Sequence, residues 1–80
     1  MNAKIERSLI SEGCDIQGEV YNSVIGAGVT VEEGAVVRDS IIMKDTKIGK
    51  NVKIYKSIIA EEVVIDDNTE IGIGRISLFV

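Results

Sequence analysis

The sequence predicts a left-handed parallel β-helix of hexapeptide repeats, with about four to five coils in a single domain over residues 1–80. Three observations predict this fold: a 17-residue internal repeat, aliphatic residues at steps of six, six and five, and a column of Gly and Asn residues at one bend. A chain of 80 residues has room for one small core. Residues 1–4 are expected to be a linker or a cloning remnant.

The repeat becomes visible when Ser23, Ser40 and Ser57 are placed beneath one another. The three resulting segments are each 17 residues long and read SVIGAGVTVEEGAVVRD, SIIMKDTKIGKNVKIYK and SIIAEEVVIDDNTEIGI. The preceding segment, SLISEGCDIQGEVYN, aligns as a further coil with Ser8 under Ser23, but it is two residues shorter. We therefore expect one tighter corner in this first coil.

Two sets of residues in each repeat are predicted to point into the core, because alternate residues of a strand share a face. The bulky set is Ile25, Val31, Val37, Ile42, Ile48, Ile54, Ile59, Ile65 and Ile71, and Ile76 continues it. The small or β-branched set is Ser23, Val29, Ala35, Ser40, Thr46, Val52, Ser57, Val63 and Thr69. The period of two argues against an amphipathic helix, and the constant coil length argues against a meander of hairpins.

One column of the repeat is predicted to form a corner of the coil. It contains Gly34, Asn51 and Asn68. Glycine and, after it, asparagine tolerate the left-handed backbone conformation that a tight bend requires. The residue types and the repeat spacing therefore agree on where the chain bends.

Lysines recur every three residues between positions 44 and 56. A shift of 17 places opposite charges side by side at Lys44 and Glu61, Lys50 and Asp67, Lys53 and Glu70, and Asp39 and Lys56. We expect surface charge ladders between neighbouring coils, each worth roughly a few tenths of a kcal/mol. The alternative is that Lys47 or its neighbours contact a phosphate-bearing effector.

Two further columns contain residues that invite a functional interpretation. Tyr21, Arg38 and Tyr55 share a column, which predicts a guanidinium stacked between two rings. Cys14 falls in the column of Val29, which predicts a packed thiol in preference to a nucleophile.

Composition and motifs exclude several function classes for these 80 residues. The chain has no histidine, so a histidine general base and a histidine metal site are excluded. Gly72 and Gly74 are an isolated pair and not a phosphate-binding loop, and acid pairs such as Glu32 and Glu33 are expected in solvent. We predict no catalytic, cofactor-binding or metal-binding residue in the chain.

The charge distribution and hydropathy also limit the partners. The net charge is −4 with both signs interspersed, which argues against nucleic-acid binding. No apolar run approaches the roughly 20 residues of a membrane span, and no secretory segment is present. A soluble, cytoplasmic protein is expected.

Three stretches are more specific than a general hexapeptide pattern: NSVI at 22–25, GAVV at 34–37 and DSIIM at 39–43. Through them, the segment from Ser8 to Gly72 resembles the C-terminal β-helix domain of bacterial glucose-1-phosphate adenylyltransferase, also called ADP-glucose pyrophosphorylase. The resemblance implies a domain that supports homo- or hetero-oligomer assembly and helps to shape allosteric sites for sugar-phosphate effectors. It fits the catalytic subunit and the regulatory subunit equally.

In that family a longer N-terminal nucleotidyltransferase domain makes ADP-glucose from ATP and glucose 1-phosphate, with Mg²⁺, in glycogen synthesis. None of its catalytic motifs is present in this chain, so the resemblance implies no activity for these residues alone. One alternative is the β-helix of another sugar-phosphate nucleotidyltransferase that uses guanosine or uridine nucleotides. A hexapeptide acyltransferase fragment is a weaker alternative, because such enzymes use a histidine general base.

The chain ends in an apolar stretch that includes Leu78, Phe79 and Val80. The repeat spacing places Val80 in the column of Val63. A β-helix ends in unpaired strand edges, which have to be capped or buried. We expect this stretch to start a fifth coil, to cap the solenoid or to form a partner interface.

Overall fold

The computed structural model describes residues 3–72 and the backbone of a strand at Ser77–Phe79. The regular elements in this part of the chain are short β-strands, as expected from its Val and Ile content. They are β1 (Lys4–Glu6), β2 (Leu9–Ile10), β3 (Asp15–Ile16), β4 (Glu19–Tyr21), β5 (Val24–Ile25), β6 (Thr30–Val31), β7 (Val36–Arg38), β8 (Ile41–Ile42), β9 (Lys47–Ile48), β10 (Lys53–Tyr55), β11 (Ser57–Ile59), β12 (Val64–Ile65), β13 (Glu70–Ile71) and β14 (Ser77–Phe79).

The strands form three parallel sheets, and each coil contributes one strand to each of them in turn. Sheet A has the order β1-β4-β7-β10-β13, sheet B the order β2-β5-β8-β11-β14, and sheet C the order β3-β6-β9-β12. Strands that follow one another in the chain lie in different sheets, so the chain winds as a solenoid of about four coils. The predicted fold class, a left-handed β-helix of hexapeptide repeats, is confirmed.

The core runs along the solenoid axis and consists of the predicted inward columns. All nine bulky residues from Ile25 to Ile71 are buried. Of the small set, Val63 and Thr69 are half-buried and the other seven are buried. Val20 adds a fully buried side chain from the first coil. Burial of each large aliphatic side chain stabilises the fold by roughly 1.5–3 kcal/mol.

Each coil bends at three corners, and residues with positive φ mark them, except at the corner that contains Gly18 in the first coil. The predicted corner column is confirmed: Gly34, Asn51 and Asn68 have φ of 82°, 59° and 64°. Two more columns behave in the same way. They are Gly28, Asp45 and Glu62, and Asn22, Asp39 and Lys56. Glutamate and lysine do not favour this backbone region, so the pairing of the neighbouring coils imposes it on them.

The first coil has a tighter corner, as predicted, and the strand pairing locates it. Ile16 pairs with Val31, 15 residues further on, whereas β4 pairs with β7 at an offset of 17. The two missing residues therefore belong to the corner formed by Gln17 and Gly18. A Cβ on Gly18 would lie only 2.5 Å from the carbonyl oxygen of Ala35. Glycine is required because the next coil comes too close for a side chain.

Serines form a hydrogen-bonded ladder at the corner between sheets A and B. The backbone N–H groups of Ser23, Ser40 and Ser57 each donate to the Oγ of the serine in the preceding coil at 3.1 Å. Each hydroxyl, beginning with that of Ser8, donates to the carbonyl oxygen two residues before it at 2.7–2.8 Å. The ladder thus satisfies buried polar groups at a corner where the sheet ladders are interrupted.

Strand β14 adds a fifth strand to sheet B but departs from the 17-residue spacing. Phe79 pairs with Ile59 at an offset of 20. Phe79 therefore takes the register position beside Ile59, and the 17-residue spacing used to predict the positions of Ile76 and Val80 does not hold at this strand. Ile76 and Val80 themselves lie outside the described residues.

Both ends of the solenoid differ from a simple extension of the repeat. Gly72 has a φ of 75°, so the backbone turns one residue earlier than at Lys56 in the preceding coil. This early turn accompanies the three extra residues before β14. At the other end Lys4, which was assigned to a linker or cloning remnant, begins β1 and pairs with Glu19.

The serine ladder predicts a stability difference between buried and exposed serines. Ser40→Ala is expected to lower the free energy of unfolding by about 1–3 kcal/mol, because the buried N–H of Ser57 loses its acceptor. Urea denaturation followed by circular dichroism measures the change. Ser11→Ala is the control, since Ser11 is exposed. Equal stability of the two variants would contradict the role of the ladder.

The tight corner predicts a position that rejects even the smallest side chain. Gly18→Ala is expected to lower the free energy of unfolding by about 1–3 kcal/mol, because the added methyl group forces the backbone of the next coil away. The urea midpoint is compared with that of Gln17→Ala, which changes the exposed neighbour. A midpoint that Gly18→Ala leaves unchanged would show that the corner relaxes freely.

Candidate functional site

The three sheets present outward faces of different chemistry. The charged outward residues of sheet A are Lys4, Glu6, Glu19, Arg38, Lys53 and Glu70, and those of sheet C are Asp15, Glu32, Lys47 and Asp66. We call the outward side of sheet B face B. Its described outward positions are Leu9, Ser11, Val24, Gly26, Ile41, Met43, Ile58 and Ala60. Face B is therefore uncharged over all four described coils.

An apolar stripe runs through the four coils at the centre of face B. Leu9 is 71% exposed, Val24 43% and Ile41 41%, and Ile58 is half-buried. Strand pairing places them side by side in consecutive coils, and Leu78 occupies the next register position. Contiguous exposed apolar residues of this kind mark interaction surfaces, whereas single exposed ones do not.

Face B was not recognised in the sequence, although a signal was present. In each repeat the residue after the inward serine is apolar, as in SLI, SVI and SII. That residue lies between two inward positions, so it has to point outward, where a polar residue is expected. A violation of the alternation at the same place in four coils is the pattern that predicts a covered face.

The corners on either side of face B are lined with polar and charged residues. The AB rim, at the corner with sheet A, consists of Arg7, Asn22, Asp39 and Lys56. The BC rim is the first residue of each corner with sheet C, next to face B, and consists of Glu12, Ala27, Lys44 and Glu61. The second residue of these corners adds the exposed acids Asp45 and Glu62. All eight rim residues are exposed. An apolar centre with a polar, charged rim is the usual anatomy of a protein–protein interface.

The five lysines between positions 44 and 56 do not converge on one site. Lys47 lies on sheet C and Lys53 on sheet A, and the other three are at the three corners of the same coil. The Nζ of Lys47 lies 3.9 Å from Glu32 Oε2, so this lysine has an acidic neighbour. The arrangement is a belt around the third coil. Contact between Lys47 or its neighbours and a phosphate-bearing effector stays a prediction.

The residues of the predicted charge ladders lie side by side in neighbouring coils, but their side chains do not form the expected ion pairs. Lys53 pairs with Glu70, yet the two side chains form no ion pair within 4.0 Å. Asp67 Oδ1 instead accepts a hydrogen bond from the backbone N–H of Lys50 at 2.8 Å. The ion pairs of the described residues join Lys4 to Glu6 and Lys47 to Glu32. Exposed lysines gain little from fixed pairing in water, so the expectation of ladders was wrong.

The aromatic column is confirmed for one of its two rings. Arg38 pairs with Tyr21 on one side and Tyr55 on the other, and its Cζ lies 4.2 Å from the centre of the Tyr21 ring. The Tyr21 hydroxyl donates a hydrogen bond to Glu19 Oε1. This hydrogen bond, together with burial, raises the pKa of Tyr21 above 10.0, while the positive charge of Arg38 opposes the rise. The cluster fastens sheet A and offers no free reactive group.

Cys14 is packed as predicted. It is half-buried against the core, and its Sγ donates to the carbonyl oxygen of Gly26 in the next coil at 3.1 Å. Thr46 makes the equivalent contact two coils later, donating to the carbonyl oxygen of Ala60 at 2.7 Å. The thiol therefore takes the place of a hydroxyl that supports a corner.

Other predicted features form no site in the described residues. Gly72 is a turn residue, and Gly74 lies outside the described residues. In residues 3–72, no three Cys, Asp or Glu side chains come together in a way that would hold a metal ion. That part of the chain also lacks any helix long and apolar enough for a bilayer. Phe79 and Leu78 belong to β14, and their contact with a partner, like that of Val80, stays a prediction.

Comparison with known proteins connects this solenoid to a family. Residues 1–76 match the family described as GlmU-like, C-terminal hexapeptide. The chain belongs to the GlmU-like hexapeptide family. The match covers nearly all of the chain, including every coil described above.

Several curated proteins are similar to this member of the GlmU-like hexapeptide family and share one name. The chain is 56% identical over 67 residues to proteins named glucose-1-phosphate adenylyltransferase from Bacillus thuringiensis (strain Al Hakam), Bacillus mycoides (strain KBAB4) and Bacillus anthracis. The matched segment covers 84% of this chain and 18% of each relative. The resemblance stated from the sequence is confirmed, and the chain spans less than a fifth of the length of these relatives.

The raised pKa of Tyr21 predicts a pH-dependent loss of stability. Above about pH 10 the tyrosine ionises first in the unfolded chain, so the folded state holds more protons and the free energy of unfolding falls as pH rises. Tyr21→Phe is expected to reduce this decline, as measured by urea denaturation between pH 9 and about pH 11. Tyr55→Phe, in the same column, is the control. An identical decline in both variants would contradict the assignment.

Proposed function

We propose that this chain is the β-helix domain of a glucose-1-phosphate adenylyltransferase, and that it serves subunit assembly and allosteric regulation. The observation that carries the proposal is the 56% identity to the Bacillus relatives over 67 residues, which extends through the solenoid. The identity goes beyond what an inward Ile column alone would produce, because hexapeptide cores accept many aliphatic sequences.

The geometry supports a structural role over a catalytic one. The side chains that line the core are aliphatic or hydrogen-bonded serine and threonine, and the tyrosine cluster of sheet A is closed by its own contacts. Face B offers an uncharged surface that protein can cover. A rigid solenoid with such a face is suited to position other domains, since its shape is fixed by backbone hydrogen bonds along its whole length.

In this proposal the chemistry belongs to a nucleotidyltransferase domain outside these 80 residues. That domain converts ATP and glucose 1-phosphate to ADP-glucose and diphosphate in glycogen synthesis, in the cytoplasm, and its Mg²⁺ accompanies ATP. Because the residues described here do not fit a metal site, the Mg²⁺ is assigned to that domain. The chain fits the catalytic subunit or its regulatory companion.

Regulation is proposed to act through a sugar-phosphate effector that contacts the β-helix together with its neighbouring domain. The lysine belt of the third coil supplies positive charge on sheets A and C and at all three corners, so a neighbouring domain that packs on this coil lies close to at least one lysine. A phosphate held between two domains links their relative position to the effector concentration.

A chimera tests the proposal. This chain replaces the matching 67 residues of the Bacillus anthracis relative, and we expect ADP-glucose synthesis and the oligomeric state of the intact relative to be retained. The truncated relative without the segment is expected to lose both. A chimera that carries Ile48→Asp is the matched control, because a charge in the core unfolds the β-helix.

Several outcomes would count against the proposal. A folded chimera that makes no ADP-glucose contradicts it, and so does a truncated relative that assembles and responds to sugar phosphates as the intact protein does. Acetyl transfer from acetyl-CoA by the 80-residue chain would instead support a hexapeptide acyltransferase. A coding region upstream that specifies a guanosine- or uridine-nucleotide enzyme would support the other sugar-phosphate nucleotidyltransferases.

A further inference from the structure

Face B carries a charge pattern that an interface with another molecule has to match. In the first coil the AB rim has Arg7 and the BC rim has Glu12. In the second coil the rims have the uncharged residues Asn22 and Ala27. The two rims of each of these coils therefore either carry opposite charges or carry none.

The same relation holds at the third and fourth levels of face B. Grouped by the strand of sheet B that they flank, the rims have Asp39 and Lys44 beside β8, at the third level, and Lys56 and Glu61 beside β11, at the fourth. Along each rim the sign changes between these charged levels, and at each charged level the two rims carry opposite signs. A partner that matches face B therefore needs the opposite sign at six places, in three of the four layers.

A second copy of this chain meets that requirement in one arrangement. A two-fold axis parallel to the solenoid axis brings the two B faces together, with each coil opposite the same coil of the other copy. The rotation also reverses the order of the two rims across the face. The AB rim of one copy then faces the BC rim of the other, so that Arg7 faces Glu12, Asp39 faces Lys44 and Lys56 faces Glu61. Asp45 beside Lys44 weakens the middle match, and Glu62 beside Glu61 strengthens the match with Lys56. An antiparallel arrangement instead sets Arg7 against Lys56, and like charges disfavour it.

We propose that face B is a homodimer interface in which two copies of the β-helix pack in parallel about this two-fold axis. The apolar stripe of one copy packs on the stripe of the other, as the self-complementarity of a two-fold interface requires. Each copy has a net charge of −4. Face B allows two acidic copies to approach with no charged residue at the centre of the contact.

The size of the stripe determines how strong this contact is. Four layers about 4.8 Å apart make a stripe roughly 15 Å tall, which buries a few hundred Å² on each copy. A stable complex buries about 800 Å² on each partner, so the dimer of the isolated chain is weak and depends on concentration. This inference rests on the proposed assembly role and adds to it a face, a partner and a geometry.

Analytical ultracentrifugation of the 80-residue chain over a range of concentrations tests the proposal. We expect a monomer–dimer equilibrium that Ile41→Lys weakens by about tenfold or more, because it places a charge in the centre of the stripe. Val64→Lys is the matched control, since Val64 is a 68% exposed apolar residue of sheet C. Circular dichroism shows whether each variant is folded.

A charge exchange distinguishes the parallel dimer from any other partner. Glu61→Lys sets lysine against Lys56 of the second copy, and we expect it to weaken the dimer by about threefold. The double variant Lys56→Asp/Glu61→Lys exchanges the two signs and is expected to restore it. Both substitutions use residues that the same corner positions already hold at the third level, Asp39 and Lys44.

Four outcomes would overturn the inference: a chain that remains monomeric at all concentrations, a trimer, a dimer that Ile41→Lys leaves unchanged, or a double variant that stays weakened. None of these four outcomes contradicts the proposed function, provided that the chimera makes ADP-glucose and assembles. Loss of activity in the chimera, with a dimer that behaves as expected, would contradict the proposed function and leave face B as an interface.

Discussion

The parallel backbone hydrogen bonds between successive coils are the constraint on which the rest of the molecule depends. They hold each residue directly beside the residue one coil away, so a side chain is surrounded mainly by others from its own column. An isoleucine column becomes a continuous core, and a serine column becomes a ladder of hydroxyls. The same pairing forces Glu62 and Lys56 into a backbone region that neither residue favours.

Much of the fold could be predicted because the columns repeat and burial has a simple chemical signature. The inward aliphatics, the Gly34 corner and the shortened first coil all followed from spacing. Hydrogen bonds and ion pairs were harder to predict. Spacing shows that Lys50 stands beside Asp67, but whether the carboxylate takes the ammonium or the backbone N–H depends on side-chain geometry that the repeat does not encode.

The candidate site was less predictable than the fold for a related reason. A metal site is marked by a few reactive residues brought together, and in residues 3–72 no three Cys, Asp or Glu side chains are grouped in that way. An interaction face is a property of many weakly marked positions. The apolar character of Val24 or Ile41 is unremarkable alone, and it becomes informative only when three faces are compared and one proves to be uncharged.

The short corner at Gly18 has a consequence for how the chain avoids misfolding. Near-identical 17-residue repeats allow competing states in which a coil pairs one step out of place, and such states keep almost every aliphatic contact. The first coil breaks this degeneracy because its 15 residues match no other coil in length. A chain that slipped by one coil would have to fit two extra residues where only a glycine has room. The shorter length of the first coil thus distinguishes this end of the solenoid from the rest and fixes the pairing of the coils.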